Sequence, residues 1–462
     1  MQASSTSPPT EAAPGLIIAA PTSGSGKTIV TLALLRAFAR AGVRVASAKI
    51  GPDYIDPAYH HAASGAPCLN LDSWAMRPDA FAALVRQLSD NAALILCEGV
   101  MGLFDGAQQN PGAQTSNGST ADVAARTGWP VVLVVDARGQ AQSSAALIEG
   151  FVRHRRDINV TGVIFNRVGG DRHALMLRDA AARTGVAVLG CLPRNPALIL
   201  PERHLGLVQA GEHNSLDAFL DGAAHIAADA LDLDALRALA RPANGLAPAL
   251  SPNIQGPGLA PLGQTIAIAR DDAFAFAYPA LLDRWRAMGA DLHFFSPLGD
   301  EAPVAGADAV YLPGGYPELH AGRLAGNEGF LSGLRQAAAG GAAVYGECGG
   351  YMVLGETLTG ADGAVHRMGG LLPLRTSFAE PKLHLGYRHA ETLAATPLGQ
   401  PGAGFTGHEF HYATIVEEGP GPALFRVANA SGGGIADAGL AIGTVAGSFV
   451  HLIDHTVEEA PA

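Results

Sequence analysis

What this chain has little of narrows it early. Its 4 cysteines, Cys68, Cys97, Cys191 and Cys348, stand at none of the spacings of a metal knuckle or a disulfide framework. That excludes a disulfide-stapled scaffold and points to a reducing, cytoplasmic setting. Cys97 and Cys191 lie in or beside apolar runs, where a buried, inert thiol is the expected role. The longest apolar runs, such as Val131–Val135, are strand-sized and fall short of the ~18 residues of a membrane helix, so no membrane association is expected. Lys and Arg number 30 against 42 Asp and Glu, the net charge is −12, and no basic run appears. A nucleic-acid partner is therefore not expected. An anionic substrate would have to rely on local cations rather than on the overall field. Residues 1–14 are polar, small and Pro-containing, without the charged start and apolar block of a signal peptide, and read as a flexible tail.

What remains is a pattern of short apolar runs alternating with helical stretches. Leu16–Ala20, Val43–Ala48, Ala93–Cys97, Val131–Val135, Val163–Phe165 and Val186–Leu189 read as strands, and Ile29, Leu32, Leu35 and Ala39 recur at helical spacing. Strands alternating with helices give an α/β domain with a parallel sheet over 15–240. Pro and Gly then crowd residues 241–264, the composition of a linker. A second α/β pattern runs over 265–456, with strands at Thr265–Ala269, Leu292–Phe295, Ala309–Leu312 and Ala342–Tyr345 and a helix from Tyr278 to Met288. The fold class expected is α/β, two doubly wound domains in tandem.

Between the first strand and the first helix lies Ser23-Gly24-Ser25-Gly26-Lys27-Thr28. Glycines let backbone N–H groups converge on phosphate oxygens, and the helix N-terminus adds positive potential. Lys27 would reach the β/γ-phosphates of ATP, and Thr28 would offer its hydroxyl to Mg²⁺. The strict pattern wants glycine at position 21, where this chain has Pro21. Lys49-Ile50-Gly51-Pro52-Asp53-Tyr54-Ile55-Asp56-Pro57 ends the second strand, at the sheet edge where ligands of open α/β sheets bind. Lys49 could neutralise phosphate or a substrate carboxylate there, and Asp53 could hold Mg²⁺; a Pro-rich turn with solvated charges is the plainer alternative. Glu98 ends the third strand and is a further candidate for Mg²⁺. Asn166 follows another strand and could read an adenine edge, or be an ordinary turn residue.

The second chemistry centres on Tyr345-Gly346-Glu347-Cys348-Gly349-Gly350. Small residues after a strand allow a tight turn that presents a thiol at a helix start, where the dipole favours thiolate. The Gly349 N–H, with Gly314 and Gly315 of Leu312-Pro313-Gly314-Gly315-Tyr316-Pro317-Glu318, could bind an oxyanion. His451 is the candidate base, with His408 and His411 as competitors.

Leu-Pro-Gly-Gly-Tyr-Pro-Glu, Tyr-Gly-Glu-Cys-Gly-Gly and the late histidine resemble a class I glutamine amidotransferase domain. The N-terminal part resembles the dethiobiotin-synthetase-like branch of P-loop proteins. In this order the pair is similar to the cobalamin-pathway amidotransferases. Lys-Ile-Gly-Pro-Asp-Tyr-Ile-Asp-Pro and Glu-Gly-Val-Met-Gly-Leu-Phe-Asp-Gly point among these to the a,c-diamide synthases of cobyrinic or hydrogenobyrinic acid. The resemblance implies a P-loop NTPase-like domain followed by a flavodoxin-like glutaminase, a corrin polycarboxylate and L-glutamine as substrates, and MgATP. Cys348 then matches the nucleophile and His451 the residue that activates it. Gly24, Ser25, Gly26, Lys27 and Thr28 match the ATP loop, and Lys49, Asp53 and Glu98 the phosphate and Mg²⁺ region. Neighbouring readings are a cobyric acid synthase, a metal-sirohydrochlorin diamide synthase, and a P-loop ATPase switch with an inactive glutaminase module; a homodimer is compatible with any of them. One departure stands out. Class I glutaminases usually carry Glu two residues after the histidine, and here that place is Ile453, leaving Asp454 or Glu409 to orient His451, or a Cys-His dyad.

Overall fold

Apolar runs bounded by glycine and polar turns become the strands of two large sheets, beside a four-stranded and a two-stranded one. The computed structural model describes residues 12–90, 92–108, 116–203, 206–246 and 258–456; most of the expected tail and the middle of the expected linker lie outside them. In the N-terminal half β1 (Gly15–Ala19), β2 (Val45–Ile50), β3 (Cys68–Leu71), β4 (Leu94–Glu98), β5 (Val131–Asp136), β6 (Val160–Val168) and β7 (Ala187–Pro193) form a parallel sheet in the order β3-β2-β4-β1-β5-β6-β7. β1 is buried along its whole length, as a central parallel strand covered on both faces must be. Helices α1 (Lys27–Arg40) and α2 (Ile55–Ser64) follow β1 and β2. The chain fills one side of β1 through β4 and then crosses to the other at β5, so a crevice opens at the C-terminal ends of β1, β2 and β4.

The C-terminal half contributes β8 (Thr265–Ala269), β9 (Asp291–Phe295), β10 (Ala309–Leu312), β11 (Ala343–Glu347), β12 (His384–Thr392), β13 (Gly404–His411), β14 (Ala423–Asn429), β15 (Ala436–Ile442), β16 (Val445–Ser448) and β17 (His451–His455). They pair in the order β9-β8-β10-β11-β16-β15-β14-β12-β13-β17. β9, β8, β10, β11 and β16 are parallel, the doubly wound part. The rest is an antiparallel extension that the sequence pattern did not announce. The short helix α3 (Gly349–Leu354) leaves the end of β11.

The ordered fold begins before residue 15: Ala13 is buried, and the Pro14 carbonyl accepts from the Ile95 N–H at 2.9 Å. Both ends of the expected linker are tied down as well. Arg241 exchanges backbone hydrogen bonds with Gly15, and the Leu259 carbonyl accepts from the Trp285 indole at 3.2 Å.

The two halves share one apolar core, in which Met76 and Phe81 meet Tyr278, Leu281 and Ile453. Polar contacts fix their relative position. The Asp454 carboxylate, fully buried, accepts from the Arg77 backbone N–H at 3.0 Å, from Arg77 Nε at 3.2 Å and from the Gly258 N–H at 3.2 Å. Tyr387 donates its hydroxyl to Asp72 at 2.7 Å and stacks on Trp74 with ring centroids 4.3 Å apart. Removing one partner of a buried pair leaves the other charge uncompensated, at about 3–5 kcal/mol. Asp454→Ala is therefore expected to lower unfolding free energy by about that amount in urea titration; a loss below about 1 kcal/mol would mean the pair does not hold the interface.

Candidate active site

The P-loop and its surroundings occupy the crevice of the first sheet. Gly26 has φ 87° and caps α1, a conformation that favours glycine, and a Cβ there would lie 2.3 Å from Asn166 Nδ2. That contact defines Asn166. Its Nδ2 donates to the Ser25 carbonyl at 3.0 Å, and its Oδ1 accepts from the Arg167 N–H at 2.9 Å. The amide nitrogen thus braces the loop, while its oxygen turns back onto the following backbone N–H. Arg167, which sequence reasoning missed, braces the same loop by donating to the Gly24 carbonyl at 2.7 Å and to Asp136 at 2.6 Å.

At the centre of the crevice Glu98 is fully buried at the end of β4. It accepts from Thr28 Oγ1 at 2.6 Å, from Lys49 Nζ at 2.8 Å and from His60 Nε2 at 2.7 Å. Lys49 also donates to Asp56 Oδ2 at 2.5 Å, and His60 Nδ1 lies 3.4 Å from Cys68 Sγ. Burial works against every charge here, yet Lys49 and His60 hold the Glu98 carboxyl well below the usual range. Asp56 and Glu98, outweighing burial, hold the Lys49 ammonium well above its ordinary value. Against burial, Cys68 and Glu98 push His60 up to about 10. Lys27 is different: among the described residues it makes no ion pair within 4 Å, and burial and then Lys49 lower its pKa. An anion beside it would favour its charged form, which is what a phosphate supplies. Asp53 caps α2, its Oδ1 accepting from the Ile55 and Asp56 N–H groups at 2.8 and 3.0 Å. No cluster of three or more His, Cys, Asp or Glu able to hold a metal occurs among the described residues. A Mg²⁺ would fit Thr28 and Glu98 together with nucleotide oxygens, the sparse protein ligation usual for that ion.

His60 provides a stability test. Its folded pKa lies above the unfolded 6.5, so its contribution is complete below pH 6.5 and is lost as pH rises through about 10. His60→Gln should destabilise the protein more at pH 6 than at pH 10 in urea unfolding. An equal deficit at both would remove the His60–Glu98 charge pair from the account.

The second centre forms where β11 turns into α3. Cys348 has φ 49° and ψ −102°, a region that costs a non-glycine residue on the order of 1–3 kcal/mol and is held only by surrounding structure. That structure is the Cys348 N–H donating to the Ser448 carbonyl at 2.8 Å, which locks the end of β11 onto β16 three residues before His451. His451 packs on the Gly314 loop so closely that a Cβ at Gly314 would lie 2.4 Å from its Cε1. The Gly315 nitrogen is 3.0 Å from where a Gly349 Cβ would be, and the Gly349 N–H favours the thiolate form of Cys348. Cys348, His451, Gly314, Gly315 and Gly349 therefore belong to one centre.

The electrostatics of that centre differ from the sequence expectation of a dipole-stabilised thiolate. Burial, reinforced by Glu318, pushes the Cys348 thiol up and outweighs the Gly349 N–H. Burial and then His408 push His451 well down. Burial thus favours the uncharged form of both groups. The competing histidines have other work. His408 stacks on His451 with centroids 4.9 Å apart and shares a 3.0 Å hydrogen bond with the Tyr278 hydroxyl. His411 stacks on Phe449 and bonds the Ala413 carbonyl. Neither proposed orienting acid serves His451: Asp454 holds Arg77, and Glu409 pairs with Arg388 at 2.6 Å. The acid that faces it is Glu347, with Oε2 3.9 Å from His451 Nδ1. Tyr54 of the N-terminal half also reaches this centre, its ring 5.1 Å from that of His451 and 4.3 Å from that of Tyr278. Tyr54, Asp56 and Glu347 all sat inside motifs singled out by sequence, but nothing local assigned them these partners.

A strained cysteine turn beside a glycine loop and a histidine, docked onto a P-loop crevice, is the arrangement of a glutamine amidotransferase joined to a nucleotide-binding domain. Family models agree: residues 16–208 match the CobQ/CobB/MinD/ParA nucleotide binding domain, and residues 265–457 the CobB/CobQ-like glutamine amidotransferase domain. The chain is 56% identical over 448 residues to the hydrogenobyrinate a,c-diamide synthase of Brucella anthropi, covering 96% of this chain and 100% of that one. It is 54% identical over 440 residues to that of Rhizobium meliloti (95% and 99% covered) and 48% identical over 438 residues to that of Agrobacterium fabrum (95% and 98%). The chain belongs to the hydrogenobyrinate a,c-diamide synthase family.

Proposed function

We propose that this protein is an ATP-driven ligase that takes ammonia from glutamine and converts the a- and c-carboxylates of hydrogenobyrinic acid to amides. In the C-terminal half the Cys348 thiol passes its proton to His451 as sulfur attacks the glutamine amide carbon. N–H groups of Gly349 and the Gly314/Gly315 loop meet the oxyanion, His451 returns the proton to departing ammonia, and water hydrolyses the thioester to glutamate. In the N-terminal half a corrin carboxylate takes the γ-phosphoryl group of ATP, and ammonia then displaces phosphate. A free carboxylate does not exchange hydroxide for ammonia, because hydroxide leaves poorly; phosphate leaves well. Lys27 and Lys49 supply the positioned cations that phosphoryl transfer needs. Bound at Thr28 and Glu98, Mg²⁺ would add neutralising charge to the phosphates.

The observation that carries the reading is the joint between the centres. Asp53 and Asp56 stand at the start of α2, Asp56 on Lys49 in the ATP crevice, while Tyr54 between them packs its ring against that of His451 in the glutaminase, tilted by 45°. A loop that touches both centres is suited to release ammonia only when the carboxylate is ready for it.

Mass spectrometry after incubation with MgATP and glutamine should show two carboxylate-to-amide conversions on hydrogenobyrinic acid and fewer on cobyrinic acid. No conversion of either would overturn the proposal. Cys348→Ser should lower glutamate release by roughly 10⁴-fold, and release at the wild-type rate would sink the nucleophile assignment. Tyr54→Ala should raise the ratio of glutamate released to amide formed several-fold above that of wild type. An unchanged ratio would exclude Tyr54 from coupling.

A further inference from the structure

We infer that Glu347, the residue immediately before the nucleophile, is the third member of the glutaminase centre, a positioning residue that faces His451 Nδ1 and becomes the partner of the ring when it takes up a proton. The inference rests on the glutaminase reading of the C-terminal half.

The positions usual for an orienting acid are taken. Residue 453 is isoleucine, and in the register of β13 with β17, Gly407 pairs with Leu452 and Thr406 with Asp454. Ile453 is thus the extra residue of a β-bulge, off the regular alternation that would align it with His451. Asp454 and Glu409 are committed to Arg77 and Arg388.

Glu347 is placed differently. It is 2% exposed, and its two oxygens divide their work. Oε1 accepts from the Leu452 N–H at 3.2 Å and from the Tyr345 hydroxyl at 3.1 Å, gripping the backbone next to the histidine. Oε2 accepts from the Tyr311 hydroxyl at 2.8 Å and faces His451 Nδ1 at 3.9 Å. Nδ1 is buried and makes no hydrogen bond. Among the described residues no lysine or arginine lies within 4 Å of Glu347, so the imidazole is the only group there that can become its counter-ion.

Nδ1 facing Glu347 leaves Nε2 for the thiol. When the Cys348 proton moves to Nε2 and sulfur bonds to the amide carbon, positive charge appears on the ring and reaches Glu347 through Nδ1–H. In a buried site that attraction is strong. It offsets both the burial and the neighbouring His408, which otherwise oppose imidazolium. The Nε2 proton then passes to the departing ammonia, and the ring returns to neutral.

Burial pushes the Glu347 carboxyl up to about 7, against the Leu452 N–H and the Tyr311 and Tyr345 hydroxyls. The other groups packed on His451 and Glu347 ionise elsewhere. His408 is lowered to about 3, His451 lies well below its ordinary value, and Cys348, Tyr54, Tyr278, Tyr311 and Tyr345 are all raised by burial. An ionisation near pH 7 in the glutaminase kcat/KM profile therefore belongs to Glu347, with activity rising as the carboxylate forms.

The test is glutamate release against pH for the wild type, Glu347→Gln and Tyr311→Phe. Glu347→Gln should lower kcat at least roughly 10²-fold, leave KM for glutamine within about twofold, and lose the acid limb near pH 7. Tyr311→Phe removes a donor from Oε2 and should move that limb to higher pH, which keeps the inference exposed if the glutamine variant fails to fold. A purely structural Glu347 would change stability without moving either limb. An active wild type beside a Glu347→Gln variant with unchanged kcat and limb, or a Tyr311→Phe variant with an unmoved limb, overturns this inference alone. A wild type that releases no glutamate overturns the glutaminase reading and this inference with it.

Discussion

A carboxylate with no exposure must be surrounded by donors, and Glu98 at the end of β4 imposes that requirement on the whole ATP crevice. Lys49 comes from β2, His60 from α2 and Thr28 from α1, so one buried acid fixes three separate elements against each other. The second acid on Lys49, Asp56, fixes the first turn of α2, and Asp53 caps it. Tyr54 stands between these two anchored residues, and its ring is therefore held where the C-terminal half presents Phe276, Tyr278 and His451. The relation between the two catalytic centres follows from how the chain satisfies a single buried charge.

The glutaminase centre solves the opposite problem. Burial disfavours the charged form of both its proposed nucleophile, Cys348, and its proposed base, His451. Reactivity must arise with substrate, when charge develops where the Gly314/Gly315 loop and Gly349 point. The strained turn at Cys348 contributes by fixing the thiol at the end of β11, and the hydrogen bond to Ser448 ties that turn to the strand that leads into His451. The proposed nucleophile and base are brought together by sheet register, although 102 residues lie between them in sequence.

The legible part of this molecule was local. Apolar runs gave Thr265–Ala269 and Ala309–Leu312 at their observed limits, and the loop around Lys27 and the turn around Cys348 carry their chemistry in consecutive residues. The antiparallel extension was not legible, because strands such as Gly404–His411 mix glycine, histidine and glutamate and lack clean alternation. Partner assignments across the domain interface were equally hidden. Asp454 looks like a neighbour of His451 in sequence, yet its carboxylate is spent on Arg77, 377 residues away. Asn166 and Asp53 carry the residue types of ligand-binding positions, and only geometry shows the one bracing the P-loop and the other capping α2.

The place proposed for the orienting acid has a structural cause. In this chain the face of β17 beyond His451 is not free: Ile453 packs with Met76, Tyr278 and Leu281 in the core shared with the ATP half. A carboxylate at 453 would sit in that apolar contact without a partner, at a cost of several kcal/mol or with its charge lost. Docking the two halves through this face therefore excludes the usual position. The opposite side of His451 is lined by β10 and β11, where Tyr311 and Tyr345 provide hydroxyls for a buried acid. Glu347 lies on that side, one residue before the nucleophile, and the strand that places the thiol also places the carboxylate. Moving the acid from the histidine strand to the cysteine strand keeps the centre complete while leaving the β17 face apolar for the partner half.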